Sequence, residues 1–191
     1  MLFEYNLRMD ALENILNRVS ARELDKPYPS KDEMKLIYQA ALRAPDHAWL
    51  RPSSFIEVKD EGLEKLSNIF HEYALSLSDI SEEILNKYKN APYRAPMIII
   101  LVNTFKEHPK VPSIEQKLST ATAAQNISLA LNAMKYSCMW RTGKLAFNKT
   151  IQKKLGLSSN QEILGYLYIG TEVGKKKKIP TLDIDNFVSY L

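Results

Sequence analysis

Residues 97–102 read Met-Ile-Ile-Ile-Leu-Val, the longest unbroken aliphatic run in the chain, closed in front by Pro96 and followed by a polar stretch from Asn103. Successive side chains of a strand point to opposite faces, so a run apolar at both parities describes a strand covered on both sides. A central sheet sandwiched between helices follows from that one stretch. Six residues are far short of the roughly 20 needed to span a bilayer, so the run is no membrane anchor.

Working outward, Phe55–Lys59 and Ile163–Ile169 have the β-branched and aromatic content of further strands, and Ser137–Arg141 is a weaker one. The rest is mostly helical. Asp10 caps a first helix with Leu12, Ile15, Leu16 and Val19 on one stripe, and Ser30 with Glu33 forms a capping box before Met34, Ile37, Tyr38 and Ala41. Pro45 ends that second helix. Leu63, Leu66, Phe70, Tyr73 and Leu77 mark a third, Ile80, Ile84, Leu85 and Tyr88 a short fourth, and Thr150–Leu155 a last one between Asn148 and Gly156. From Ser113 to about Lys135 there is neither Gly nor Pro, and the middle is small or apolar nearly all round. Such a helix is buried on several sides, centrally in the fold or against a second subunit. The order is not a strict strand–helix alternation, no repeat or linker divides the chain, and one domain over residues 1–191 is expected.

The composition excludes several functions. With 45% hydrophobic and 25% charged residues, the 191-residue chain is an ordinary globular protein. The opening MLFEYNLRMD does not read as a secretory signal, and the single Cys138 excludes an internal disulfide framework, so a cytoplasmic setting is expected. The net charge of +4 equals the single run Lys175–Lys178, without which cations and acids balance. One local cluster is not a stripe that tracks nucleic acid. It reads first as a solvated turn and second as an attractor for a phosphate-rich dinucleotide. None of the six glycines forms a G-x-G-x-x-G or G-x-x-x-x-G-K motif, and His47, His71, His108 and Cys138 have no metal-ligand spacing. Cys138, within SCMW, reads as a core residue rather than a nucleophile.

What remains is polar residues at the ends of elements. Arg18, Ser20 and Arg22 alternate after the first helix and would share one side of an extended segment. Arg43 and His47 flank Pro45 and Asp46, and Trp140, Arg141, Thr142 and Gly143 end a strand. Each alone reads as a surface charge or cap. Together they offer guanidinium forks, hydroxyls and an aromatic wall suited to a flavin phosphate.

Five segments, in order, resemble the FMN-dependent nitroreductase family, in its short-chain branch: MDALENILNRVSAR (9–22), LRAPDHAWLRPSSF (42–55), NAPYRAPMIIILV (90–102), MWRTGKL (139–145) and ILGYLYIGT (163–171). The resemblance covers Met9 to Leu191 and leaves residues 1–8 as a possible short arm. It implies an α+β three-layer sandwich, a central mainly antiparallel sheet flanked by helices, in an interlocked homodimer with two FMN sites at the subunit interface. It carries Arg18 and Ser20 to the phosphate and ribityl end, with Val19 contributing backbone, and Arg22 to the pyrimidine edge. Arg43 and His47 come from the second flavin element; Trp140, Arg141 and Thr142 come from the third. No side chain is then catalytic and no metal is used. NAD(P)H is the implied donor, and a small electron-poor molecule, nitroaromatic or quinone-like, the acceptor.

The chain departs from its relatives in three places: Val19 stands for an arginine, Arg51-Pro52-Ser53 for Gln-Pro-Trp, and Lys135–Met139 for a glycine-rich turn. Two rival readings are a different reaction on the same flavin fold and a non-enzymatic basic module using the lysine run.

Overall fold

The structure is a computed structural model describing residues 10–191; the short arm expected at residues 1–8 lies outside the described residues. Strand β3 (Met97–Thr104) is the axis of the sheet. It pairs antiparallel with β2 (Ser53–Lys59) on one side and β5 (Gln161–Glu172) on the other. Beyond β5 lie β4 (Ser137–Arg141) and the two-residue β1 (Leu24–Asp25), both antiparallel to it. The sheet is therefore antiparallel throughout, and β2 has a single neighbour among the described residues.

The parity of the MIIILV run divides the core. Ile98, Ile100 and Val102 join Leu63, Leu66, Phe70 and Ile151 on one face, while Met97, Ile99 and Leu101 join Met34, Ile37, Ala124, Ile127 and Leu131 on the other. The first face is covered by α3 (Glu61–Leu75), α6 (Lys144–Phe147) and α7 (Lys149–Lys154), with α4 (Glu82–Lys89) packed on α3. The second is covered by α2 (Lys31–Ala41) and the long α5 (Ser113–Ala133). This is the helix–sheet–helix sandwich expected, with every anticipated strand in place.

The caps act as their chemistry dictates. Asp10 accepts the Leu12 and Glu13 amides of α1 (Ala11–Asn17), Ser30 and Glu33 close a reciprocal box, and Asn148 accepts from Thr150 and Ile151. Among the described residues, two helix faces are left uncovered. Leu12, Ile15 and Leu16 of α1 are exposed, and α1 is held to α5 by Asn14, whose Nδ2 donates to the Leu129 carbonyl at 3.0 Å, and by Asn132, which donates to Asn14 Oδ1 at 2.8 Å. On α5, Ile114 and Leu118 are likewise exposed. After β5 the chain runs from Val173 to Leu191 across the surface, with Ile179, Leu182, Ile184, Phe187 and Val188 open. Among the described residues, no helix is long and apolar enough to cross a membrane.

Candidate functional site

Arg18 leaves α1 in an extended conformation, and the chain then runs beside the outer edge of β4. Ser20 forms a parallel bridge with Cys138, and the Ala21 amide donates to the Cys138 carbonyl at 3.1 Å. Ala21 is fully buried, which leaves its neighbours Ser20 and Arg22 on the opposite side of an extended segment. Burial pushes the Cys138 thiol up, against the neighbouring Ser128 hydroxyl and the charge of Arg18, both of which favour the thiolate. A neutral, buried Cys138 is a core residue, as its sequence neighbours suggested.

The Val173 amide donates to the Glu23 carbonyl at 3.2 Å, and Leu24 pairs with Glu172. These contacts place Arg22 beside the end of β5, where it lines a cavity of about 400 Å³ with Lys175, Lys176, Lys177 and Lys178. The lysine run thus gathers beside Arg22 rather than standing as an isolated turn. Such a concentration of cations is a ready-made anion site.

At the other end of β4, Trp140 and Arg141 diverge. The Trp140 indole is partly exposed and donates from Nε1 to the Leu164 carbonyl at 3.3 Å, at the point where the β3–β5 register slips between Leu101 and Val102. Arg141 opposes Tyr166 in the ladder, and its guanidinium stands 5.3 Å from the Tyr168 ring centre. With Thr142 it borders a cavity of about 230 Å³ that also receives Lys87, Arg94 and Lys144. Burial, followed by the nearby Arg94, lowers the Arg141 pKa. Burial also raises the Tyr168 phenol to about 12, against the opposing charges of Arg141 and Arg94.

Arg43 and His47 belong to another region. Arg43 lines a groove between α1, α2 and α5 with Asn14, Ala40, Asn126 and Leu129. His47 Nδ1 lies 2.7 Å from Glu115 Oε2 near the start of α5, about 20 Å along the helix from Leu129 at 1.5 Å per residue. The segment after His47 is strained: Ala48, Trp49 and Arg51 have φ of 57°, 52° and 51°. Asp46 anchors it by accepting the Arg51 amide at 2.8 Å, and the Arg51 guanidinium stands 5.5 Å from the ring centre of Trp49, which is 77% exposed. Three left-handed non-glycine residues cost about 1–3 kcal/mol each and persist where the surroundings enforce them. Ser53 shares a 3.0 Å hydrogen bond with Thr120.

A family model described as the nitroreductase family matches residues 15–171. The chain belongs to that family. Among nitroreductase-family relatives, YdjA of Escherichia coli strain K12, provisionally named an NAD(P)H nitroreductase, is 34% identical over 183 residues, covering 95% of this chain and 100% of YdjA. A nitroreductase-like protein of Bacillus cereus shares the fold with a TM-score of 0.82 at 23% identity, covering 96% of each chain. A nitroreductase of Bacteroides fragilis, solved with bound FMN, does so with a TM-score of 0.74 at 20% identity, covering 96% of this chain and 99% of that one.

Within this nitroreductase fold, the structure brings the Arg18–Arg22 segment together with the strand leading to Trp140–Thr142 and keeps Arg43 and His47 apart from both. Sequence reasoning missed the contribution of Lys175–Lys178 to the first group and of Lys87, Arg94, Lys144, Tyr166 and Tyr168 to the second. Only charge signalled the lysines, and nothing in their spacing pointed across some 150 residues to Arg22. Among the described residues, no cluster of His, Cys, Asp or Glu could hold a metal ion.

Proposed function

We propose that this chain is an FMN-dependent oxidoreductase that passes hydride from NAD(P)H to a small electron-poor acceptor, nitroaromatic or quinone-like. The observation that carries the reading is the cationic cavity of Arg22 and Lys175–Lys178 beside the Arg18–Ser20 edge of β4, in a chain of the nitroreductase family. Its five cations fit the phosphate of a flavin mononucleotide, and the neighbouring segments offer the Ser20 hydroxyl for the ribityl chain and the Trp140 ring as an aromatic wall.

In this reading Arg18 and Ser20 hold the phosphate and ribityl end, with Val19 offering backbone. Arg22, which the resemblance set at the pyrimidine edge, is assigned instead to the phosphate end, because its side chain lines the lysine cavity. Trp140, Arg141 and Thr142 border the ring system. When bound, the flavin supplies two-electron chemistry that no side chain here can provide, so the protein's own work is to bind, orient and exclude water. Donor and acceptor use the site in turn, in a ping-pong order.

Arg43 and His47 complete the site from a second copy of the chain. The open α1 stripe, Ile114 and Leu118 on α5, and the exposed apolar tail after Val173 support such a homodimer, since a monomer would leave all three wet. The lone buried Cys138 suits a cytoplasmic setting.

The decisive measurement is the absorbance spectrum of the purified protein. A yellow preparation with an oxidised-flavin spectrum that bleaches on anaerobic addition of NADPH is expected. Colourless protein that takes up no added FMN would overturn the assignment.

A further inference from the structure

The cavity at the end of β4 has a chemistry of its own. It is lined by four cationic side chains, Lys87, Arg94, Arg141 and Lys144, and by no acidic one. Among the described residues, no ion pair within 4.0 Å involves any of the four. Arg141 Nε is buried there without a hydrogen-bond partner among the described residues. A buried donor left unmade costs about 1–3 kcal/mol, and like charges gathered at one opening add to that cost. Tyr166 and Tyr168, both nearly inaccessible, supply flat walls, with the Tyr166 hydroxyl committed to the Leu145 carbonyl at 2.9 Å.

We propose that this cavity is an acceptor subsite for a single-ring aromatic carboxylate, with Arg94 and Arg141 holding the carboxylate and Tyr166 and Tyr168 flooring the cavity beneath the ring. The proposal rests on the flavin reading through Arg141 and Thr142, which belong both to this cavity and to the segment assigned to the ring system. Its volume of about 230 Å³ is below the roughly 300–1,000 Å³ of pockets that enclose drug-sized ligands, so it suits one ring and not a dinucleotide. The lowered pKa of Arg141 has the same origin as the proposed function, a partly desolvated guanidinium facing a second one. An anion between them offsets both the desolvation and the repulsion.

The test compares para-nitrobenzoate with its methyl ester, which share ring and nitro group and differ in charge. Binding of each to the holoprotein is measured by calorimetry, with flavin content read separately from absorbance. The acid is expected to bind about tenfold or more tightly than the ester, the scale of one charge-assisted pair. Arg94→Gln should abolish that preference without changing ester binding or flavin content, and Arg94→Lys should restore part of it. Lys87→Gln serves as a second, independent variant should Arg94→Gln fold poorly. Equal binding of acid and ester, or a preference untouched by both glutamine variants, overturns the proposal. So does a loss confined to the KM for NADPH, which would assign the cations to the donor's phosphates. Because calorimetry needs no turnover, protein lacking flavin would refute the flavin reading while still reporting the preference of the cavity.

Discussion

The Trp140 indole lies directly across Gly165, its Nε1 bonded to the carbonyl of the preceding Leu164. A Cβ built on Gly165 would overlap Nε1 and stand 2.7 Å from Trp140 Cδ1 and 2.8 Å from the Arg141 carbonyl oxygen. Its φ of +151° is also one that L side chains rarely adopt. The register slip in β5, the position of Trp140 and the entry to Arg141 therefore depend on one missing methyl group.

Gly165→Ala should destabilise the protein by about 1–3 kcal/mol through overpacking, and lower flavin retention with it. Gly62→Ala is the matched control, since a Cβ there meets only Val58 Cγ1 at 3.4 Å, an ordinary contact. Urea midpoints measure both. Equal midpoints for the two variants would show that Trp140 can swing away freely.

The lysine run can be tested by comparing FMN with riboflavin, which lacks the phosphate. Replacing Lys175–Lys178 together by glutamine should weaken FMN binding by about tenfold or more, most at low salt, and leave riboflavin binding unchanged. Fluorescence titration of the apoprotein reads both constants. A variant that keeps the full FMN advantage would return the run to a solvated turn.

Stability should fall in strong alkali. Burial raises the phenols of Tyr38, Tyr166 and Tyr168, with the charge of Glu57 adding to the effect at Tyr38, and Tyr168 is pushed up to about 12. The folded state thus holds these protons more tightly than the unfolded chain, whose tyrosines titrate near about pH 10. The resulting stability is complete below about pH 10 and is lost as pH rises through the folded values. Urea midpoints should be flat up to about pH 10 and fall above it, with the last tyrosinate absorbance appearing only on unfolding.

The second copy is testable by hydrodynamics. The intact chain should sediment as a dimer and melt at a temperature that rises with protein concentration. Removing residues 179–191, which carry Ile179, Leu182, Ile184, Phe187 and Val188, should shift it towards the monomer. A monomeric intact chain would leave Arg43 and His47 outside the site.

Much of this architecture was legible because local chemistry and tertiary placement agree. The MIIILV run is apolar at both parities and is covered on both faces; Ser30 with Glu33 is a capping box in sequence and in space. What escaped depends on long-range pairing. Leu24–Asp25 is too short to show a period, yet its pairing with β5 is what carries Arg22 to Lys175–Lys178. Amphipathicity indicated that α1 has an apolar stripe but could not say what covers it, and among the described residues Leu12, Ile15 and Leu16 stay exposed. Arg94 reads in sequence as one residue of a Pro-rich lead into β3, and only the fold sets it beside Arg141.

Among the described residues strand β2 has one neighbour, so its other edge presents amides and carbonyls that could template the addition of a foreign strand. Pro52, which has no amide to offer, sits immediately before it, and Glu57 and Lys59 form an ion pair at 2.6 Å on the strand itself. Proline and charge at an edge are the usual deterrents to sheet-to-sheet growth. The same strand that completes the core is thereby a guarded flank, and amyloid-like stacking is discouraged there without any loss of the apolar surfaces kept open on α1 and α5.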